Sequence, residues 1–148
     1  MSKMSLGRTK VGYTVNYGIA PYVKKLLHEQ LDKCRWITVS YDESLNHAAQ
    51  KGHMDFHLRF WDDEKQQVST RYYDSHFLGH AKVKDLKDSF ESCLEKVAEE
   101  KMLQVSMDGP NVNLRLLNEL KSDRAELIDI GSCYIHLLEL FELCPSLE

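Results

Sequence analysis

Two aspartates stand where carboxylates can act together. Asp42 follows the alternating run Trp36-Ile37-Thr38-Val39-Ser40-Tyr41, and Asp108 follows the short run from Met102 to Met107. Each run reads as a β-strand, so each aspartate is expected to close one. Alternation puts Asp42 on the side of Thr38 and Ser40, and Asp108 on the side of Gln104 and Ser106. If the two strands are neighbours, both carboxylates meet at the carboxyl edge of the sheet, where open α/β sheets bind ligands. Carboxylates at close range repel unless a cation lies between them, and hard oxygen donors favour Mg²⁺ or Mn²⁺. Two such ions about 4 Å apart can stabilise the attacking and leaving oxygens of a phosphodiester displacement. The same residues also have a plain structural reading. Asp42 in YDESLN can bond its own backbone, and Asp108 can cap the helix opening at DGPN.

Other metal-binding side chains form no comparable set. His53 and His57, like His76 and His80, are four apart. That spacing makes a ligand pair on a helix, but these residues fall on or beside strands, where it separates them by roughly 13 Å. They are expected to be ordinary surface or half-buried histidines. Cys34, Cys93, Cys133 and Cys144 contain no CxxC pair and read as reduced thiols. Cys133 and His136 share a face if their segment is helical, but two ligands do not make a zinc site.

The elements that must hold the aspartates follow from periodicity. Pro21, followed by Val23, Leu26, Leu27 and Leu31, predicts a helix with proline in its first turn. After the strand ending at Asp42, Met54, Phe56, Leu58 and Phe60 alternate with polar residues as a second strand. Asp62 to Lys65 form a hairpin loop, and Val68 to Phe77 return as a third. Val83, Leu86, Phe90, Cys93, Leu94 and Val97 recur at spacings of three and four, predicting a helix to about Lys101. A fourth strand ends at Asp108, a helix carries Val112, Leu116, Leu117 and Leu120, and Leu127 to Ile130 read as a fifth strand. Ser132 caps a last helix with Ile135, Leu138 and Phe141 on its apolar stripe. The order β-β-β-α-β-α-β-α is an antiparallel group feeding a parallel crossover half, the order of RNase H-like domains.

Composition sets the outer bounds. A chain of 148 residues, 43% hydrophobic and 28% charged, fits one globular core. No apolar run approaches the ~20 residues of a membrane span, and the basic N-terminus has no following apolar region, so an intracellular protein is expected. Net charge is −4, which weighs against a stand-alone nucleic-acid binder. The charge is uneven. Residues 1–35 carry seven Lys/Arg against Glu29 and Asp32, net +5, which leaves −9 on the rest. The expected organisation is a basic helical extension, 1–35, followed by a domain, 36–148.

The segments YTVNYGIAPYVKKLL, VSYDESLNHAAQKGHMDFHLRFWD, TRYYDSHFLGHA, MLQVSMDGPNVNLRLLNEL and LIDIGSCYIHLLEL resemble consecutive blocks of hAT-type DNA transposases, from about residue 11 to residue 141. The resemblance implies an α/β, RNase H-like catalytic domain with a mixed five-stranded sheet and flanking helices. It assigns Asp42 and Asp108 as catalytic, metal-binding members of an Asp, Asp, Glu triad using Mg²⁺ or Mn²⁺. It also matches Cys133 and His136 to a family motif with a structural or DNA-positioning role. DNA is the implied partner, the nucleus the implied compartment, and self-association is left open.

The departures from that family are specific. The chain has no Cys/His set for the family's N-terminal zinc module. It ends at Glu148, about where the family's helical insertion begins, so a truncated domain, incomplete at its C-terminus, is expected. Glu139, Glu142 and Glu148 are available acids, and nothing marks any of them as the third carboxylate. The expected function is a transposase-derived domain related to DNA cutting and strand transfer, inactive in this form. The alternative is a domesticated, non-enzymatic interaction module.

Overall fold

The computed structural model describes residues 7–47, 50–78, 82–107 and 111–128. Contacts divide the chain into two compact units, Met1–Cys34 and Arg35–Glu148. The first is helical: α1 (Arg8–Thr14), a π-helical segment (Val15–Ile19) and α2 (Ala20–Lys33) follow one another without a break. Pro21 sits in the first turn of α2 as expected, but helix precedes it as well. Proline has no N–H to bond the carbonyl four residues back and its ring crowds that carbonyl; the wider π turn directly before α2 accommodates both. The run stops where Cys34 becomes extended, with its thiol donating to the Leu31 carbonyl at 3.1 Å. Leu27 and Leu31 are buried, and the rings of Tyr13 and Tyr17, one turn apart, stack at 5.8 Å.

The second unit is built on a sheet of β1 (Ile37–Asn46), β2 (Lys51–Asp62), β3 (Gln67–Phe77) and β4 (Met102–Ser106), in the order β3-β2-β1-β4. β2 pairs antiparallel with β1 and β3, and β4 pairs parallel with β1. The expected neighbouring of the first and fourth strands is therefore found. Two helices, α3 (Val83–Leu94) and α4 (Asn111–Asp123), complete the mixed α/β unit.

Three expectations are corrected. The sheet has four strands among the described residues rather than five: of the segment expected as the fifth, Ile128 makes a single parallel bridge to Gln104, and 129–130 lie outside those residues. β1 does not end at Asp42; it continues to Asn46, because Glu43 to Asn46 find partners in Lys51 to Met54. α3 ends at Leu94, not near Lys101. The chain turns there to bury Val97, and a 3₁₀ turn, Glu99–Lys101, leads into β4.

Alternation explains the core. Ile37, Val39 and Tyr41 of β1 and Met54, Phe56, Leu58 and Phe60 of β2 are buried on one face of the sheet. Phe90 of α3 closes on that face, with ring centroids 6.1 Å from Tyr41 and 6.0 Å from Phe56. Burying rings of this size contributes about 2 to 3 kcal/mol each. The Tyr41 hydroxyl donates to the sulfur of Met107 at 2.9 Å, joining β1 to the residue that follows β4. Helix α4 buries Leu116, Leu117 and Leu120, and its Asp123 bonds Lys87 of α3 at 2.7 Å.

The β2–β3 hairpin has a polar anchor. Asp62 is buried, accepts from the backbone amides of Glu64 and Lys65 at 3.2 Å each, and meets Lys65 Nζ at 3.2 Å and Ser69 at 3.3 Å. Burial pushes its carboxyl up, but the bonds from Lys65 and the turn amides outweigh it and hold it below the ordinary carboxylate value.

Candidate functional site on the polar face of the sheet

The face opposite the core carries Thr38, Ser40, Asp42 and Ser44 of β1 beside Arg59, His57, Asp55 and His53 of β2, in that register. The sequence dictates this sorting, because MDFHLRF alternates apolar and polar side chains and only one set can enter the core. Asp42 is exposed, with Asp55 directly opposite it across the ladder. Neighbouring groups engage Asp55. His53 Nε2 is 3.0 Å from Asp55 Oδ2, and the Ser44 hydroxyl is 3.3 Å from His53 Nδ1. Ser44, His53, Asp55 and Asp42 thus form one polar cluster at the end of the sheet where β1 and β2 meet in their hairpin.

On its other side β1 runs beside β4. Thr38, Val39 and Ser40 are partners of Gln104, Val105 and Ser106. Asp42 and Asp108 each follow two residues after the partners Ser40 and Ser106 in the sequence. Asp108 lies outside the described residues, as do Cys133, His136, His80, Glu139, Glu142 and Glu148. Among the described residues no group of three His, Cys, Asp or Glu is arranged to hold a metal ion.

No protein-family model matches the chain, and no curated protein matches it.

The other expected histidines are half-buried and in ring contact. His57 meets the ring of Tyr72 edge-on at 5.6 Å, and His76 meets Phe56 edge-on at 6.4 Å. Sequence reasoning singled out His53 as a histidine but passed over its partners Asp55 and Ser44. Alternation already placed Asp55 on the polar side; what it could not supply was the register that sets Asp55 opposite Asp42 and Ser44 opposite His53. Among the described residues no helix is long and apolar enough to cross a membrane.

Proposed function

We propose that the unit from Arg35 onward is an RNase H-like module derived from an hAT-type transposase and related to DNA cutting and strand transfer. The observation that carries this reading is the parallel register of β1 on β4, in which Ser40 partners Ser106. Asp42 and Asp108 follow those partners by equal steps in the sequence. The order β3-β2-β1-β4, with Ile128 bridging to β4, supports the same reading.

The donors suit a hard cation: Asp42 is an exposed carboxylate on a polar face, and a second one stands opposite. Asp42 and Asp108 would hold Mg²⁺ or Mn²⁺, and such an ion supplies charge stabilisation for phosphoryl transfer. The protein's own part is to fix the two strands in register and to keep Asp42 on the side away from the core. DNA is the partner in this reading, and the nucleus its compartment.

A second reading is favoured by the His53–Asp55 pair. It engages the carboxylate nearest Asp42 in register, and no third described ligand joins Asp42. On that reading the module is a non-enzymatic interaction domain. Calorimetric titration with Mn²⁺ tests the first reading. Weak binding is expected, since two protein ligands leave most of the coordination sphere to water. Asp42→Ala and Asp108→Ala should each abolish it, and unchanged binding in both variants would sink the assignment.

A further inference from the structure

The helical unit leaves an apolar stripe uncovered. α1, the π segment and α2 make one run from Arg8 to Lys33, which buries no residue before Leu27. Val11, Val15, Ile19, Tyr22, Val23 and Leu26 recur at helical spacing along one side of it, from 41% exposed at Leu26 to 63% at Tyr22. Isolated helices are marginal in water, and most draw their stability from burying such a stripe. This run is also weakened from within by Gly12 and Gly18. A single copy has no steric need of either glycine, because a Cβ at each position would meet nothing within 4 Å.

We propose that the stripe packs against the same stripe of a second copy, in an antiparallel helix pair centred between Gly18 and Ile19. A two-fold interface requires each residue to meet a counterpart that meets it in return. Counted outward from that centre, Val11 stands level with Leu26 of the second copy, Val15 with Tyr22 and Gly18 with Ile19. The stripe is thus its own complement. Gly18 falls where the two helices cross, and the missing side chain lets the backbones approach and makes room for Ile19. Charge selects the direction. Residues 8–28 hold Arg8, Lys10, Lys24 and Lys25 and no acid. Parallel pairing would set each of these level with its own counterpart, and like charges repel. Antiparallel pairing sets Arg8 level with Glu29 and Lys25 level with Gly12. Area agrees with a second copy as well. The stripe exposes roughly 500 Å² of side chain, so two copies face to face remove roughly 1,000 Å², about the least that a specific interface needs. The pairing involves the first unit alone and does not depend on the transposase reading.

Sedimentation velocity of the full chain is the test, and a monomer–dimer equilibrium is expected with a Kd on the order of 10 μM. Ile19→Asp should weaken it at least about tenfold, whereas Asn16→Asp, the same charge off the stripe, should change it by less than about twofold. Gly18→Leu separates pairing from mere exposure. It enters open space in a single copy and favours helix, so far-ultraviolet circular dichroism should hold or rise while dimerisation weakens at least about tenfold. For the direction, oxidation of mixed Val11→Cys and Leu26→Cys chains should cross-link them beyond the level of either alone. Cross-linking of Val11→Cys to itself beyond that of the unsubstituted chain would overturn the antiparallel register. A chain that stays monomeric at about ten times the expected Kd would overturn the second copy as occupant. So would a monomer that pellets with phosphatidylserine vesicles, which would give the stripe to a membrane surface. Dimerisation unchanged by both Ile19→Asp and Gly18→Leu would place the interface elsewhere and overturn the proposal.

Discussion

Asp42 and Asp55 face each other directly across the β1–β2 ladder, two carboxylates on one polar face. Like charges directly opposite on paired strands destabilise them. His53, at 3.0 Å, offsets the charge on Asp55 when protonated, while Asp42 is exposed to solvent. Retaining Asp42 there opposes stability, which is what a functional position looks like. Asp42→Asn should therefore stabilise the fold by about 0.2 to 1 kcal/mol. A urea titration would register this as a higher midpoint with an unchanged slope. A loss of stability larger than that gain would make Asp42 a structural residue and remove the argument.

Phe90 is the helix-borne member of the aromatic cluster with Tyr41 and Phe56, and it is fully buried. Phe90→Ala leaves a cavity between α3 and the sheet, and such truncations cost about 3 to 5 kcal/mol. Thermal unfolding should show the drop, accompanied by loss of near-ultraviolet circular dichroism. A cost below about 1 kcal/mol would mean that α3 does not close the core.

How much of this was legible in the sequence depended on whether a feature was local. The core positions of β1 and β2 followed from alternation alone, since Phe56 and Leu58 could face only one way once Asp55 and His57 faced the other. The neighbouring of β1 and β4 also followed, because an antiparallel group and a crossover helix leave few other connections. The extent of β1 did not. Asp42 to Asn46 is polar enough to read as a loop, and only the presence of Lys51 to Met54 as a partner keeps it extended. The end of α3 was invisible too, because Glu95, Lys96 and Ala98 are good helix formers and burial of Val97 wins over them. The Asp42–Asp55 relationship needed a register, and registers are set by pairing rather than by composition.

Tyr73 reports on the same core. It sits at the bulge where β3 slips against β2, and it is buried. Burial, with smaller contributions from Cys93 and Asp74, pushes its phenol up to about 12. The unfolded phenol ionises near 10, so the native state holds a proton that the unfolded state releases first. Stability from this group is fully present below pH ~10 and is lost as pH rises from there toward 12, up to roughly 2 kcal/mol in all. Ultraviolet difference titration should show a late-ionising phenol that Tyr73→Phe removes. Tyr73→Phe should flatten the alkaline loss of stability. Normal ionisation of all seven tyrosines would contradict the burial.

The 148-residue chain should neither cleave nor join DNA at a measurable rate. Two-metal phosphoryl transfer depends on ions held in a preorganised position, and Asp42 has no group of three ligands among the described residues. Removal of one preorganised contact commonly costs about 10² to 10³ in rate, and a loosely held ion should cost at least that. Substrate capture adds to the deficit. Residues 36–148 carry a net charge of −9, which repels the phosphate backbone and lowers its local concentration. The measurement is incubation of the chain with a nicked or hairpin-forming oligonucleotide in Mn²⁺, beside the Asp42→Ala/Asp108→Ala control. Cleavage that disappears in the control would overturn the inactive reading and require a third ligand, with Asp55, opposite Asp42, the first residue to substitute.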